Sequence, residues 1–465
     1  MVRDPKLFFE QLKEKRVGVV GLGVSHFELI RLMLRKGISV TVLEKRSMEA
    51  LGEQGEILKN EGAKFILGEN HLDALTEFDL IFRTPGMYFL SDALNKARAA
   101  GVQVVSEMEV FFDLCPCRMF SLTGSDGKTT TSTLISEFFK ADGRKVWLGG
   151  NIGKALLPEI ENISPDDICV VELSSFQLIS MRQSPDVAVI TNVAPNHLDV
   201  HRDMQEYIDA KKNLITHQNG MSRTVLNWEN DITREEMAPL VRGELSWFSL
   251  KQPVSHGAFL REDGMLCRVD RGTVTPIVHK DEIRIPGMHN VDNFLTAIAA
   301  VKNEVSDASI VKVAKEFGGV EHRIEFVREL DGVRYYNDSI ASSPTRTIAG
   351  LYAFDKKIIV IAGGYDKKIP YAPLAPVLCE RAKAVVLLGA TGPKIEEALL
   401  ACDRFAESGL VILRAKTLEE AVDTARAFAK EGDVISLSPA SASFDLYRNF
   451  EERGRHFKNT VHALK

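Results

Sequence analysis

Short apolar runs alternate with amphipathic segments along the whole chain. In the N-terminal part, the apolar runs predict strands at 16–23, 38–46, 78–86 and 102–107. The segment 25–37 carries apolar residues at helical spacing and stops at Gly37, which predicts a helix. Strands that alternate with helices are typical of a βαβ domain with a parallel sheet, and we expect this domain to end near residue 113.

The alternation restarts at residue 118. Nearly continuous apolar runs predict buried parallel strands at 118–124, 167–175 and 186–197. Residues 240–285 contain short β-like pieces and turns, and we interpret them as a small β region appended to this second domain. A helix is predicted at about 289–304.

A third series of elements begins near residue 318. Residues 327–338 predict a hairpin, because Asp331-Gly332 is a type I′ turn signal between two apolar runs. Further strands are predicted at 356–364, 384–390, 410–415 and 433–441. The predicted fold class is α/β, with three consecutive domains: a Rossmann-like domain at 1–113, a P-loop-type central domain with a parallel sheet at 114–318, and a Rossmann-like domain at 319–465.

Length and charge fit this organisation and argue against some partners. The 465 residues are too many for one ordinary core. The formal net charge of −6 argues against broad nucleic-acid binding and against a basic membrane-binding surface. Apolar runs stay well short of the ~18 residues of a membrane span, and the N-terminus leads into a charged amphipathic helix. We expect a cytoplasmic monomer.

The cysteines form no C-x-x-C pair. They are Cys115, Cys117, Cys169, Cys267, Cys379 and Cys402. Cys115 and Cys117 are too close together for a usual zinc knuckle, and no pair of His or Cys partners lies nearby in the sequence. The simplest interpretation is a chain whose thiols stay reduced.

Residues 119–134, MFSLTGSDGKTTTSTL, have the context of a phosphate-binding loop: apolar strand, glycine turn, helix. Leu122 stands where the pattern G-x-x-x-x-G-K-[ST] has its first glycine, so the turn is shorter and starts at Gly124. Lys128 would reach the β- and γ-phosphates, and Thr129 would hold Mg²⁺ through its hydroxyl. The alternative is a strand-to-helix turn with a chance lysine.

The turn Gly21-Leu22-Gly23 is a weaker nucleotide signal. The dinucleotide fingerprint requires glycine at position 26, where this chain has His26. Glu44 ends the second predicted strand, where a ribose-binding acid would lie. A Rossmann-like nucleotide pocket, a full NAD or FAD site and a purely structural turn all remain open.

Candidates for metal binding and acid–base chemistry follow the central strands. Glu172 ends a predicted strand, where a carboxylate either binds Mg²⁺ or caps the next turn. His197 lies at a similar strand end, whereas His201 is interpreted as a capping or packing residue, because the pair lacks the glutamate of a zinc-protease motif. Lys211 and Lys212 lie on a later helix, and their charge alone favours a solvated basic face.

Polar residues, two glycines and a phenylalanine follow three predicted strands of the third domain. They are Asn337, Asp338, Ser339, Gly363, Gly364, Lys367, Ser438, Ser441, Ser443 and Phe444. Small hydroxyls and a lysine at neighbouring strand exits predict an anion-binding cleft.

Eight motifs in one order resemble the Mur ligases over about residues 16–457. They are TGSDGKTT, ELSSFQL, NVAPNHLDVH, GMHNVDN, HRIEF, NDSIASSP, GGYDKKIPY and LSPASASFDLYRNFEERG. ELSSFQL and LSPASASFD are more specific to the branch that adds D-glutamate. The resemblance implies that ATP phosphorylates the carboxylate of UDP-N-acetylmuramoyl-L-alanine, that the amine of D-glutamate attacks the acyl phosphate, and that two Mg²⁺ ions assist.

The resemblance also implies roles for individual residues. ATP and its metal would contact Gly124, Ser125, Asp126, Gly127, Lys128, Thr129, Thr130, Asn290, Asn293, Arg323 and Asp338. The metal positions would be Thr129, Glu172, His197 and Lys211, with Lys211 carbamylated. The UDP-linked substrate would contact Val24, Ser25, Glu44, Lys45, Arg46, Gly86, Asn151, Ser174 and Gln177. D-Glutamate would contact Ser342, Lys367, Ser443, Phe444 and Phe450. The catalytic set would be Lys128, His197, Lys211 and Lys367.

Three residues depart from the family pattern. Ile340 stands where many members have lysine, Asp126 replaces a commoner asparagine, and His26 leaves the details of the uracil pocket open. A sister ligase that adds L-alanine to UDP-N-acetylmuramate or glutamate to folate, a dinucleotide oxidoreductase and a non-catalytic nucleotide-binding module remain alternatives.

Overall fold

The computed structural model describes residues 4–194, 201–367 and 369–465, which form two compact units. The first unit extends to Lys280 and includes Asp292–Val313, and the second consists of Asp281–Val291 and Ala314–Lys465. The domain boundaries expected at residues 113 and 318 remain predictions. No described helix combines the length and the apolar character that a bilayer crossing requires.

The first unit begins with a five-stranded parallel sheet in the order β3-β2-β1-β4-β5. Its strands are β1 (Val17–Val20), β2 (Val40–Glu44), β3 (Lys64–Leu67), β4 (Leu80–Arg83) and β5 (Gln103–Val105), and its helices are α1 (Pro5–Leu12), α2 (Val24–Arg35), α3 (Met48–Asn60), α4 (Asp92–Ala99) and α5 (Glu107–Leu114). The strand order reverses between β1 and β4, and this reversal places a ligand crevice at the carboxyl ends of these two strands.

The second sheet of the first unit has nine strands in the order β14-β13-β12-β11-β10-β9-β6-β8-β7. The strands are β6 (Arg118–Thr123), β7 (Val146–Gly150), β8 (Ile168–Glu172), β9 (Val187–Ile190), β10 (Arg223–Asn227), β11 (Glu244–Ser249), β12 (Gly257–Leu260), β13 (Met265–Asp270) and β14 (Thr273–His279). The accompanying helices are α6 (Lys128–Ala141), α7 (Ser175–Leu178), α8 (Met204–Thr216), α9 (Met288–Val301) and α10 (Asp307–Glu316).

The predicted β region of the central domain is part of this same sheet. Strands β6–β12 pair in parallel, whereas β13 and β14 are antiparallel additions at one edge. Strand β6 is central, with β8 on one side and β9 on the other, so all three loops that follow these strands leave from the same edge of the sheet.

The second unit contains a six-stranded sheet in the order β15-β16-β20-β17-β18-β19. Its elements are β15 (Glu325–Leu330), β16 (Val333–Asn337), α11 (Pro344–Leu351), β17 (Ile358–Gly363), α12 (Ala375–Arg381), β18 (Ala382–Leu388), α13 (Gly392–Leu400), α14 (Phe405–Ser408), β19 (Val411–Arg414), α15 (Leu418–Phe428), β20 (Val434–Leu437) and α16 (Phe450–Ala463). The predicted hairpin is confirmed, because Asp331 and Gly332 have φ angles of 53° and 72°, both positive as a type I′ turn requires.

Candidate active site

The loop between β6 and α6 depends on two glycines. Gly124 has φ 155° and Gly127 has φ 76°. A Cβ at Gly124 would lie 1.9 Å from Oγ1 of Thr191, and a Cβ at Gly127 would lie 2.4 Å from Oδ1 of Asn293. Only glycine fits these two positions, which confirms a tight turn that starts at Gly124. Lys128 is the first residue of α6, as predicted.

The polar contacts of this loop hold it in one conformation. Oδ1 of Asn192 accepts hydrogen bonds from the backbone N–H groups of Ser125 at 3.1 Å and Asp126 at 2.9 Å. Nζ of Lys128 donates to the carbonyl oxygens of Gly124 at 2.9 Å and Ser125 at 3.0 Å. The ammonium of Lys128 therefore lies over the loop, next to the positive end of α6, where an incoming phosphate would be stabilised.

Glu172, at the end of β8, faces the first turn of α6. Its Oε2 accepts a 2.8 Å hydrogen bond from Oγ1 of Thr129, and its Oε1 accepts a 2.9 Å hydrogen bond from Nδ2 of Asn151. The side chain is 1% exposed, and in the described part of the chain no lysine or arginine forms an ion pair with it. A buried carboxylate whose hydrogen-bond donors are all neutral is stabilised by a cation nearby. Together with the Thr129 hydroxyl it forms an oxygen donor set that fits Mg²⁺.

Lys211, on α8, is buried beneath the same loop. Its Nζ donates to Oγ1 of Thr123 at 3.2 Å and to the carbonyl oxygen of Gly124 at 3.0 Å. Burial, reinforced by the positive charge of Lys128, lowers the pKa of Lys211 to about 7. Lys212 instead forms ion pairs with Glu236 and Asp209 at 2.8 and 3.2 Å. The prediction that Lys211 lies on a solvated basic face is therefore wrong. Near pH 7 a large fraction of Lys211 carries a neutral amine.

The segment after β8 holds its polar residues through local contacts. Ser174 caps α7 in a reciprocal capping box with Gln177, and Nε2 of His201 lies 2.8 Å from Oγ of Ser175. The ring of His201 stacks on Phe176 at a centroid distance of 5.2 Å, so His201 packs as predicted. His197 and the side chain of Val24 lie outside the described part of the structure.

A second polar group lies at the carboxyl end of the first sheet. Oε2 of Glu44 accepts a 2.8 Å hydrogen bond from the backbone N–H of Leu22 and a 2.9 Å hydrogen bond from Nη2 of Arg46. Partial burial opposes ionisation, but the hydrogen bonds from Arg46 and Leu22 outweigh it and lower the pKa of Glu44 to about 2. Nζ of Lys45 forms an ion pair with Glu69 at 3.1 Å, and both side chains are largely exposed.

The loop after β4 approaches the loop after β1. A Cβ at Gly21 would lie 3.0 Å from Cγ2 of Thr84, two residues before Gly86. Ser25 lies in the first turn of α2, close enough to the buried carboxyl group of Glu107 to oppose the rise in its pKa that burial causes. Glu44, Arg46 and the loops that contain Gly21 and Thr84 thus lie at the carboxyl ends of β1, β2 and β4. That the predicted UDP-binding residues act there together remains a prediction.

Arg83 is a residue of this region that the sequence pattern did not indicate. The side chain is fully buried at the end of β4, and burial lowers its pKa to about 10. Its Nη2 donates to Oγ of Ser180 at 2.7 Å and to the carbonyl oxygen of Phe176 at 3.1 Å. Arg83 thus ties the loop that contains Gly86 to the segment that contains Ser174 and Gln177.

In the second unit, Asp338 follows β16 and is buried. Its Oδ2 accepts a 2.9 Å hydrogen bond from Oγ of Ser438, its Oδ1 accepts one from the backbone N–H of Ile324 at 3.3 Å, and burial raises its pKa to about 7. Arg323 is exposed and next to Ile324, and Nδ2 of Asn290 donates to the carbonyl oxygen of Pro286 at 2.6 Å.

Buried Arg453, which the sequence pattern also did not indicate, joins two strand-exit loops of this unit. Its guanidinium donates to Oγ of Ser339 at 3.0 Å, to the carbonyl oxygen of Ser339 at 2.9 Å, and to the carbonyl oxygens of Ser441 and Ala442, each at 3.0 Å. Burial lowers the pKa of Arg453 to about 10. Arg453 is the fourth residue of α16, where a positive charge is unfavourable because it opposes the helix dipole. This unfavourable placement is the sequence signal that other contacts hold the residue there.

The residues predicted to contact D-glutamate lie near these loops and differ in how far they are buried. Ser443 follows Ala442 and is buried, and the carbonyl oxygen of Phe450 accepts a 2.8 Å hydrogen bond from Ser339. Nζ of Lys367 lies 5.6 Å from the ring centroid of Phe444, and both residues are exposed. Ser342 is half-buried before α11.

Three sequence families match the chain in succession. They are described as the N-terminal domain of Mur ligases of MurD-like type, over residues 15–106, the Mur ligase middle domain, over 122–301, and the Mur ligase glutamate ligase domain, over 322–441. A UDP-N-acetylmuramoylalanine–D-glutamate ligase of Acetivibrio thermocellus is 52% identical over 98% of each chain. The chain belongs to the Mur ligase family.

Further comparisons agree with this placement. A UDP-N-acetylmuramoylalanine–D-glutamate ligase of Clostridium botulinum is 49% identical to this Mur ligase over 100% of both chains. The crystal structure of a UDP-N-acetylmuramate-alanine ligase from Thermotoga maritima shares its fold, with a TM-score of 0.57 and 18% identity over 97% of this chain and 100% of the other. The predicted α/β fold class is thereby confirmed.

The structure of this Mur ligase brings one part of the predicted residues together. Within the first unit it brings Gly124 to Thr130, Asn151, Glu172, Lys211 and Asn293 together around the loop after β6. Their roles toward nucleotide, metal and substrate remain predictions. Asn192, Arg83 and Arg453 are the polar residues that sequence reasoning missed.

Proposed function

We propose that this Mur ligase joins D-glutamate to UDP-N-acetylmuramoyl-L-alanine at the expense of ATP, in the cytoplasmic synthesis of a peptidoglycan precursor. The observation that carries the proposal is the convergence of Lys128, Thr129, Glu172 and Lys211 at one sheet edge. The names of the relatives that are 52% and 49% identical support the choice of D-glutamate. We expect the enzyme to act as a monomer in the compartment that supplies ATP and nucleotide-linked sugars.

The first unit would bind ATP and activate the carboxylate. The N-terminus of α6 and Lys128 would neutralise the negative charge of the β- and γ-phosphates. Gly124 to Thr130 would surround these phosphates, and Asn293 would contact the nucleoside side. The carboxylate of the substrate would attack the γ-phosphorus, so that an acyl phosphate forms and ADP departs.

The donor set at the sheet edge fits Mg²⁺. Thr129, Glu172, His197 and Lys211 would hold two Mg²⁺ ions, which supply charge neutralisation at the phosphate oxygens and the carboxylate. The pKa of about 7 leaves much of Lys211 neutral near pH 7, and a neutral amine adds to CO₂ to give an anionic carbamate and one proton. Carbamylation would convert a buried cation into an oxygen ligand and remove its repulsion from Lys128.

The remaining residues would bind the two substrates. Val24, Ser25, Glu44, Lys45, Arg46 and Gly86 would bind the uridine diphosphate, and Asn151, Ser174 and Gln177 the muramoyl-alanine part. Ser342, Lys367, Ser443, Phe444 and Phe450 would bind D-glutamate, while Asn290, Arg323 and Asp338 would contact ATP. The amine of D-glutamate would then attack the acyl carbonyl, and phosphate would depart from the tetrahedral intermediate.

Phosphate release tests this proposal. Purified protein with ATP, Mg²⁺ and UDP-N-acetylmuramoyl-L-alanine should release phosphate on addition of D-glutamate but not of L-glutamate or L-alanine. Lys211→Met should abolish turnover, whereas Lys212→Met should retain it. Equal turnover with L-alanine on UDP-N-acetylmuramate, or with a folate acceptor, would favour a sister ligase. No phosphate release with any acceptor would refute the proposal.

A further inference from the structure

Cys169 meets Cys115 and Cys117, from which it is 54 and 52 residues away in the chain, near the starts of β6 and β8. Sγ of Cys117 lies 3.3 Å from Sγ of Cys169, and Sγ of Cys115 lies 3.7 Å and 3.6 Å from these two sulfurs. All three side chains are buried and none is in a disulfide. Cys169 is the partner that the spacing of Cys115 and Cys117 did not indicate.

The sheet register explains why the thiols converge. Met119 of β6 pairs with Cys169 of β8. Cys117 immediately precedes β6, two residues before Met119, and its side chain lies next to Cys169 of the neighbouring strand. Cys115 ends α5, where its backbone N–H donates to the carbonyl oxygen of Phe111 at 2.8 Å. The cluster therefore joins the end of α5 to the starts of β6 and β8.

The triangle of sulfurs has the size of one face of a tetrahedral metal site. A tetrahedral ion with a metal–sulfur distance of about 2.3 Å needs sulfurs about 3.8 Å apart, and a trigonal planar ion needs about 4.0 Å. The observed separations of 3.3 to 3.7 Å are closer to the tetrahedral value. Thiol groups are only weak hydrogen-bond donors and acceptors, so three of them in mutual contact gain little from one another without an ion.

A surface pocket of about 390 Å³ opens on one side of the cluster, with Cys115, Pro116, Cys117 and Asp186 in its wall. Cys169 is fully buried on the opposite side, while Cys115 and Cys117 retain slight exposure. The carboxylate of Asp186 is already engaged, since it accepts a 2.8 Å hydrogen bond from the backbone N–H of Met119. The pocket provides an entry path and space for water as a fourth ligand.

We propose that Cys115, Cys117 and Cys169 form a three-thiolate site for one soft divalent metal ion of the Zn²⁺ class, with water from the pocket as fourth ligand. Binding converts three thiols to thiolates and releases about three protons. The ion fastens the linker after α5 to β6 and β8. The site is separate from the nucleotide loop, which follows the other end of β6.

Titration of reduced, chelator-treated full-length protein with Co²⁺ under anaerobic conditions tests this site. The expected result is one equivalent of tetrahedral Co²⁺ with a thiolate-to-cobalt charge-transfer band, which Zn²⁺ then displaces. The band should be lost in Cys115→Ala, Cys117→Ala and Cys169→Ala. It should persist in Cys267→Ala, the matched control, because Cys267 is a buried cysteine of the same sheet outside the cluster.

A second measurement needs no variant. Zn²⁺ should protect Cys115 and Cys117 of the wild-type protein from alkylation, as read by mass spectrometry, but should not protect the half-buried Cys402. Absence of the cobalt band, its persistence in the three variants, or equal alkylation with and without Zn²⁺ would overturn the proposal. Tight Cu⁺ binding without Co²⁺ or Zn²⁺ binding would overturn the tetrahedral assignment, and a native disulfide within the cluster would overturn the metal site itself.

Discussion

Lys211 should make the folded protein less stable at neutral pH than an apolar residue at its position would. The pKa of Lys211 is lowered from 10.5 to about 7, and the side chain is 1% exposed. A net shift of this size means that the surroundings, chiefly burial together with the charge of Lys128, disfavour the charged form by about 5 kcal/mol. Lys211→Met removes this cost while keeping a similar volume, and the carbonyl oxygen of Gly124 retains its hydrogen bond from Lys128.

The pH dependence identifies this effect. Between pH 7 and 10.5 the unfolded chain holds a proton on Lys211 that the folded chain has released, so the stability of the wild type rises with pH in this window. Relative to Lys211→Met, the free energy of unfolding of the wild type should rise by about 2 kcal/mol from pH 7 to pH 9. Lys211→Met should therefore be more stable at pH 7 and lose that advantage as the pH rises.

Denaturant unfolding of wild type, Lys211→Met and Lys212→Met at pH 7, 8 and 9 measures this difference. The buffers are purged of CO₂, because carbamylation would change the charge of Lys211. Lys212→Met is the matched control, since it is the neighbouring lysine and forms ion pairs with Glu236 and Asp209. A difference between wild type and Lys211→Met that does not change with pH, or the same trend in Lys212→Met, would refute the reasoning.

Three further predictions concern other residues of the two units. Thr129→Val should lower kcat for phosphate release by about 100-fold or more, because it removes the hydroxyl that contacts Glu172, whereas Thr133→Val on the same helix should have little effect. Glu44→Gln should raise KM for the UDP-linked substrate. In the wild type, ionised Glu44 stabilises the fold above pH 4.5, and this stabilisation is lost as the pH falls toward about 2. Acid unfolding followed by circular dichroism should therefore show a smaller loss of stability in Glu44→Gln than in the wild type over this pH range. Arg453→Met should destabilise the second unit by roughly 3 kcal/mol in denaturant unfolding, because it leaves buried carbonyl oxygens unpaired; an unchanged transition would contradict this role.

The order of strands and helices was largely predictable because buried parallel strands are nearly continuous apolar runs. Strands β3, β7 and β10 were not predicted by this criterion. Lys64–Leu67 begins with lysine and is only half-buried, Val146–Gly150 ends in two glycines, and Arg223–Asn227 has polar residues at both ends. Their pairing depends on neighbours in the sheet, which local sequence does not encode.

The candidate site was predictable where its residues lie next to one another in the sequence. Lys128 and Thr129 follow a strand and a glycine turn, a pattern with a direct physical meaning. Arg83, Arg453 and Cys169 were not predictable in the same way, because their roles arise from partners such as Ser180 and Ser339, which are 97 and 114 residues away in the chain. Charge alone likewise did not separate Lys211 from Lys212, since their difference is one of burial.

Transfer of ¹⁸O from substrate to phosphate tests the central claim most directly. The protein is incubated with ATP, Mg²⁺, D-glutamate and UDP-N-acetylmuramoyl-L-alanine labelled with ¹⁸O in the alanine carboxylate. Activation of that carboxylate as an acyl phosphate predicts that the released phosphate carries ¹⁸O and that its formation requires D-glutamate. Release of unlabelled phosphate, or of no phosphate, would contradict the account.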